Sequence, residues 1–135
     1  MPGAFRDSAP DRWGRTLIER DRREEAARDG SVLRQLDEVD YLVGVFDQTR
    51  EGSLRFRESG GEFLATSAAI PPLVQLPKLV HASREVANDE AGREEVKELL
   101  AAGSGSLGGA RPKASVCDGG RLLLAKFSHK DDEWM

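Results

Sequence analysis

The sequence predicts an α+β fold, in which a mainly helical N-terminal part with a short hairpin precedes a small antiparallel β element. Apolar residues recur at helical spacing through much of residues 12–102, which is typical of helices with one buried face. Glycine then becomes dense from Gly103 to Gly109, and after Pro112 the apolar pattern changes to a period of two residues. These changes divide the chain into two predicted parts, 1–102 and 103–135.

Two helices are predicted near the N-terminus. The first runs from about 12 to 28, with Asp11 as its N-cap and Asp29-Gly30 as its end. Its arginines alternate with acidic residues, which favours a solvated helix face over a phosphate-binding patch. The second is predicted from about 32 to 45, because apolar residues stand at core spacing there: Leu33, Leu36, Val39, Leu42 and Val43.

A short hairpin is predicted next. Residues 47–52 indicate a turn, and the alternation of residues 53–57 is typical of a half-buried strand. Gly60-Gly61 would turn the chain into a second short strand over residues 62–65. This hairpin belongs to the mainly helical part.

Two more helices and a second hairpin complete the prediction. Pro77 suits the first turn of a helix that ends near Asn88, and a further helix covers 93–102 with Gly103 as its stop. The turn sequence Asp118-Gly119-Gly120 lies between two alternating runs, which is a strong hairpin signal. Those two predicted strands are Lys113–Cys117 and Arg121–Phe127.

Composition limits the function. The chain has 135 residues, a net charge of −4 and one cysteine, Cys117, so an intrachain disulfide is excluded. The sequence contains no apolar run of membrane-spanning length, the acidic balance disfavours broad nucleic-acid binding, and the N-terminus lacks the apolar run of a secretory signal. We therefore expect a cytoplasmic protein. Cys117 stands in an apolar strand pattern and is interpreted as a small core residue.

Lys126 and the glycine-rich segment are the candidate site. Strand alternation places Leu122, Leu124 and Lys126 on one face, where the lysine amine would be poorly solvated without an anion such as phosphate. The ordinary alternative, a strand-end lysine that extends to water, is favoured when this residue is considered alone. Glycines let backbone N–H groups approach phosphate oxygens, but such a segment also serves as a linker. The segment does not match the Walker A pattern.

No catalytic set is predicted. His129-Lys130-Asp131 is similar to the His-Arg-Asp of a kinase catalytic loop, but the asparagine expected five residues after the aspartate is missing. The sequence also has no Asp-Phe-Gly. The two histidines and one cysteine supply neither a metal cluster nor a nucleophile with its base, and His81 is expected on the exposed side of its helix.

The run Ser106-Leu-Gly-Gly-Ala-Arg-Pro-Lys113, the hairpin, Leu-Ala-Lys126-Phe and Asp131-Asp-Glu-Trp134 together resemble the HipA-like serine/threonine protein kinases. These kinases are the toxins of a class of bacterial type II toxin–antitoxin systems. Three other stretches are also similar to the family: residues 7–15, 40–56 and 70–73. The resemblance thus covers nearly the whole chain, and the run from Ser106 to Lys113 is its most specific part.

The resemblance implies that ATP is the bound cofactor and that residues 103–135 belong to a kinase N-lobe. Lys126 would hold the α- and β-phosphates, and Ser106, with Ser104 as a further candidate, would be the autophosphorylated serine that ejects the loop. It also implies a HipB-like DNA-binding antitoxin as partner and an aminoacyl-tRNA synthetase as a class of substrate. The implied ATP-binding residues are Gly105, Ser106, Leu107, Gly108, Gly109, Ala110, Lys113 and Lys126.

The family's catalytic aspartate and its magnesium-binding aspartate have no counterparts in these residues, since both belong to the C-lobe. The chain is therefore expected to be an internal slice of such a kinase, with residues 1–102 as a partial N-terminal subdomain, and to be inactive alone. A complementary C-lobe would supply the magnesium. The alternative is a non-catalytic regulatory or interaction module of a split HipA-type system. An exposed strand edge is also expected to promote association.

Overall fold

The computed structural model combines five described α-helices with a two-stranded antiparallel sheet, as the predicted α+β class requires. It describes residues 3–45, 50, 54–61, 70–90, 92–102 and 111–128. The helices are α1 (Gly3–Ser8), α2 (Arg12–Asp29), α3 (Glu38–Val43), α4 (Leu76–Ala87) and α5 (Arg93–Ala101). The strands are β1 (Lys113–Asp118) and β2 (Arg121–Lys126).

Helix α2 begins and ends close to the predicted residues. Asp11 occupies the N-cap position with an extended backbone, although its side chain makes no capping hydrogen bond. At the other end, Gly30 has a φ of 66° and its N–H donates to the Ala26 carbonyl, so glycine supplies the left-handed residue that stops the helix. The face that α2 buries carries Trp13, Leu17 and Ile18.

The predicted helix over 32–45 is wrong in its first half. Residues 31–37 have no helical structure, and α3 begins only at Glu38. The reason is a capping box: the Asp37 carboxylate accepts from the N–H groups of Val39 and Asp40, both at 3.0 Å, while the Asp40 carboxylate accepts from Asp37 N–H at 2.8 Å. Val39 consequently remains 59% exposed instead of joining the core.

We expect the start of α3 to loosen in acid. The Arg34 guanidinium, and next the Asp37 N–H, hydrogen-bond the Asp40 carboxylate and lower its pKa from 3.8 to about 2. A depressed carboxyl pKa contributes stability that is complete above 3.8 and disappears as the pH falls through about 2. NMR titration should show the amide signals of residues 37–40 changing in that interval, and the matched variant Asp40→Asn should remove the transition. An unchanged titration in the variant would contradict this assignment.

The predicted strand over 53–57 is also wrong in its described part. Residues 54–57 contain an isolated bridge at Arg57 and no regular strand. The Phe56 ring instead packs against Phe5 of α1, with 5.8 Å between ring centroids. The turn at Gly60-Gly61 is confirmed, because Gly60 has a φ of 79° and Gly61 N–H donates to Glu58 O at 2.9 Å. Predictions for residues 47–49, 51–53 and 62–65 lie outside the described residues.

Helices α4 and α5 form the centre of the fold. A 3-10 turn over Leu73–Gln75 leads into α4, Pro77 stands in its first turn as predicted, and α4 ends before Asn88. Helix α5 packs against both α4 and α2. The buried apolar cluster draws on these helices and on the hairpin; its members include Trp13, Leu17, Ile18, Leu79, Val86, Val96, Leu99, Ala114, Val116 and Phe127.

The hairpin is attached to this core through β1. Gly119 and Gly120 have φ values of 51° and 83°, as the two central residues of a type I′ turn require. Asp118 pairs with Arg121 and fixes the register of the strands. On its other edge, β1 is held by the helical part: Ser115 N–H donates to Ala102 O at 2.8 Å and Cys117 N–H donates to Pro71 O at 2.9 Å. Strand β1 thus lies between β2 and the helical part of the chain.

Candidate functional site

The two candidate lysines face each other across the open end of the hairpin. Lys113 is the first residue of β1 and pairs directly with Lys126, the last residue of β2. Directly paired residues of an antiparallel ladder project from the same face of the sheet. Just beyond this pair, Phe127 N–H donates to Pro112 O at 2.9 Å and continues the pairing. The hairpin therefore brings together Lys113 and Lys126, which lie at opposite ends of the hairpin sequence.

Lys113 and Lys126 differ in burial. Lys113 is 6% exposed, which is unusual for a lysine, whereas Lys126 is exposed. The difference follows from strand position, because β1 lies between β2 and the helical part while β2 is at the edge.

The predicted alternation of β2 is confirmed, and of the two environments considered for Lys126 the structure has the strand-end lysine that extends to water. Leu122 and Leu124, on the face of Lys126, are 60% and 51% exposed. Leu123, which projects from the opposite face, packs against the core, and Phe127 is 8% exposed. Lys126 therefore stands on a solvated apolar face, where its amine reaches water, and none of the described acidic residues forms an ion pair with it.

Described residues on either side of the glycine-rich segment lie beside β1. The seven residues predicted for the loop itself lie outside the described residues: Ser104, Gly105, Ser106, Leu107, Gly108, Gly109 and Ala110. Residues on both sides of the segment are described. Ala102 is fully buried and accepts from Ser115 N–H, while Pro112 is also fully buried and leads directly into Lys113. Both anchors are thus fixed at the end of the hairpin that carries the lysine pair.

Cationic residues recur at this end of the hairpin. Arg111 is exposed and stands immediately before Pro112, so three cationic residues lie at or near the open end of the hairpin: Arg111, Lys113 and Lys126. A set of this kind can hold phosphate oxygens through point charges and, where glycines permit close approach, through backbone N–H groups. Anion binding is the chemistry that this arrangement supports.

The remaining candidate groups are metal ligands, His81 and Cys117. Within them, no group of three or more histidine, cysteine or acidic side chains could hold a metal ion. The His81 side chain is 69% exposed on α4, in agreement with the expectation for its helix face. Cys117 is half-buried on β1, opposite Leu122. In the part of the chain that the structure describes, none of the helices has the length and apolar character to cross a membrane.

Sequence reasoning missed the arginines that connect separate elements. Arg15 binds Glu38 at the start of α3 through two hydrogen bonds of 2.9 and 2.7 Å. Arg20 pairs with Asp89, which has a φ of 61° directly after α4. A mixed charge pattern indicates a solvated face but not which charges find partners on other elements.

Arg50 is the clearest residue of this kind, since it is only 4% exposed in a segment that the sequence assigns to a turn. Its guanidinium donates to the carbonyls of Ser8 and Val45 and lies 4.5 Å from the Phe56 ring centroid. No local pattern in the sequence signals this burial.

No family model matches the chain, and none of the curated proteins or solved structures compared with it matches either.

Proposed function

We propose that the chain is the ATP-binding N-lobe portion of a HipA-like serine/threonine protein kinase. The observation that carries the proposal is the position of Ala102 and Pro112, which stand on either side of the glycine-rich segment in the sequence and lie beside the strand pair that carries Lys113 and Lys126. A glycine-rich loop and a strand lysine are the parts of a kinase N-lobe that contact the phosphates of ATP. The resemblance in residues 106–113 supports the same assignment.

In this proposal each group of residues has its own role in binding or regulation. Backbone N–H groups of Gly105 to Ala110 cover the phosphates, Lys126 neutralises the α- and β-phosphates, and Lys113 contributes from the start of β1. Ser106, or Ser104, accepts a phosphate and thereby releases the loop. Magnesium and the groups that position the substrate hydroxyl come from a complementary C-lobe, because phosphoryl transfer needs both lobes. A HipB-like antitoxin is the proposed partner, and an aminoacyl-tRNA synthetase is a proposed substrate.

One observation favours the second candidate, a non-catalytic interaction module of a split HipA-type system. The face of β2 that carries Lys126 also exposes Leu122 and Leu124, and an exposed apolar strand face is more typical of a protein contact than of a phosphate site. On this alternative, Lys126 contributes to recognition of a protein and not of a nucleotide.

Nucleotide binding by the purified chain separates the two candidates. We expect Lys126→Ala to weaken ATP binding by at least about tenfold, since a charge-assisted hydrogen bond to phosphate contributes roughly 1.5–3 kcal/mol. Because Lys126 is exposed, its substitution should leave unfolding unchanged. The matched control is Lys97→Ala, which removes an exposed lysine from α5. Isothermal titration calorimetry with ATP and with adenosine gives the affinities.

Equal ATP affinity for wild type and Lys126→Ala would refute the nucleotide proposal, and so would equal affinity for ATP and adenosine. Lys126→Arg should retain most of the binding, because it keeps the positive charge. We also expect the chain alone to transfer no phosphate from Mg-ATP to a protein substrate. Transfer by the purified chain, measured with labelled ATP, would contradict the assignment of the catalytic groups to another lobe.

A further inference from the structure

Strand β2 has one edge that no described residue uses. Its six residues, Arg121–Lys126, pair with β1 along one side, and the described sheet has only these two strands. The edge of β1 is different, because Ala102 and Pro71 carbonyls accept its outward N–H groups. An unpaired strand edge presents a row of N–H and C=O groups that can bind a further strand.

The side chains along this edge have a definite pattern. Leu122 and Leu124, 60% and 51% exposed, occupy its middle, while Arg121 and Lys126 stand at its two ends. The Arg121 side chain is 78% exposed, with its nearest acidic oxygen, on Asp118, 3.7 Å away. The edge is therefore apolar at the centre and cationic at both ends.

We propose that this edge binds an extended segment of another protein, apolar in its middle and acidic at both ends, as a third strand of the sheet. Main-chain hydrogen bonds to β2 supply affinity that is independent of sequence. Acidic residues opposite Arg121 and Lys126 supply the charge complement, and apolar residues opposite Leu122 and Leu124 cover the exposed face. Lys126 is shared with the proposed phosphate site, but strand pairing uses the main chain of β2, so the peptide is expected to bind in the absence of nucleotide.

Charge disfavours a second copy of the chain as the occupant. Antiparallel self-pairing over the full strand would place Arg121 of each copy opposite Lys126 of the other, and parallel self-pairing would place like residues opposite each other. Like charges directly opposite in a ladder are destabilising, so both arrangements carry repulsion at their two ends. A shift of register that avoids this repulsion shortens the paired strand. An acidic segment has neither disadvantage.

The test is binding of two labelled synthetic peptides of the same length as β2. The first, Glu-Thr-Val-Thr-Ile-Glu, places acidic residues at the ends and apolar residues opposite the exposed leucines when it pairs antiparallel. The second, Lys-Thr-Val-Thr-Ile-Lys, differs only in the charge at its ends. We expect the acidic peptide to bind the full chain at least about fivefold more tightly, since each opposite-charge pair contributes up to roughly a fivefold effect. Fluorescence anisotropy measures both affinities.

The matched variant is Arg121→Glu combined with Lys126→Glu, which reverses the charge of both ends. It should prefer the basic peptide, so a loss of folding cannot imitate the result. Leu122→Thr combined with Leu124→Thr keeps strand propensity and should weaken both peptides. Equal affinity for the two peptides, an unchanged preference in the charge-reversed variant, or the absence of binding at millimolar peptide would overturn the proposal.

Amide hydrogen exchange identifies the competing occupants. The outward N–H groups of β2 should exchange quickly in the free chain and become protected when the acidic peptide binds. Protection in a free chain that sedimentation shows to be monomeric would mean that the chain covers its own edge. Protection in a dimer would mean that a second copy does so. Either result would overturn the proposal of a separate partner.

Discussion

Leu17→Ala should destabilise the protein by about 3 kcal/mol, which is within the range measured for truncation of fully buried leucines. The Leu17 side chain has no exposed surface and lies on the face of α2 that packs against α5. Truncation removes apolar contacts and leaves a cavity, because the surrounding helices can collapse only partly into the space. A small domain has only a modest total stability, so the loss would be a large part of it.

Urea unfolding followed by circular dichroism measures the effect. The matched control is Leu122→Ala, the same truncation at a side chain that is 60% exposed, and we expect it to change stability by less than about 1 kcal/mol. If both truncations cost the same amount, then Leu17 does not belong to the core that holds α2 in place. A lower slope of unfolding free energy against urea would instead indicate a change in compactness.

Arg50→Met should cost about 2 kcal/mol, although it preserves much of the apolar contact with Phe56. The variant leaves the carbonyls of Ser8 and Val45 without the two guanidinium donors, at distances of 2.8 and 3.1 Å in the wild type. Burial of a carbonyl without its hydrogen bond costs roughly 1–3 kcal/mol, and hydrogen bonds to charged groups are at the strong end. Loss of this arginine should also release α1, since Ser8 is its last residue.

The control is Arg23→Met, which removes an exposed arginine from α2 and should be nearly neutral. Limited proteolysis near the N-terminus provides a second measurement. Cleavage within residues 3–8 should become faster in Arg50→Met and not in Arg23→Met. Unaltered cleavage with a normal unfolding midpoint would show that Arg50 does not hold α1.

Helices with strong local signals could be predicted from the sequence, and α2 shows why. Its apolar residues recur at helical spacing. Gly30 ends the helix in a left-handed backbone conformation that residues other than glycine rarely adopt. Proline in the first turn of α4 is an equally local signal. The hairpin register also follows from local chemistry, because two glycines with positive φ determine which residues pair.

The start of α3 could not be read from hydrophobic spacing. Leu33 fits the helical period, but it lies before the capping box of Asp37 and Asp40, and it stays 49% exposed. The sequence contains that capping signal, but apolar residues at helical spacing begin before it and therefore predict an earlier start for the helix. Spacing shows which residues could share a helix face, and side-chain capping decides where the helix begins.

For the candidate site, the sequence could place Lys113 and Lys126 on neighbouring strands but not assign their environments. Lys113 is buried at the start of β1, and the outer edge of this strand bonds to Ala102 and Pro71 of the helical part. The exposure of Lys126 depends in turn on β2 being at the edge. Both properties arise from tertiary packing, which a two-residue period does not encode.

The anchors at Ala102 and Pro112 have a consequence for the entropy of the segment between them. Since packing and the hydrogen bond to Ser115 already fix these anchors beside β1, the cost of closing the segment depends only weakly on its length. Doubling the number of residues would add only about 0.6 kcal/mol. Variants that lengthen or shorten the sequence between the two anchors are therefore expected to change the stability of the helices and the hairpin only slightly.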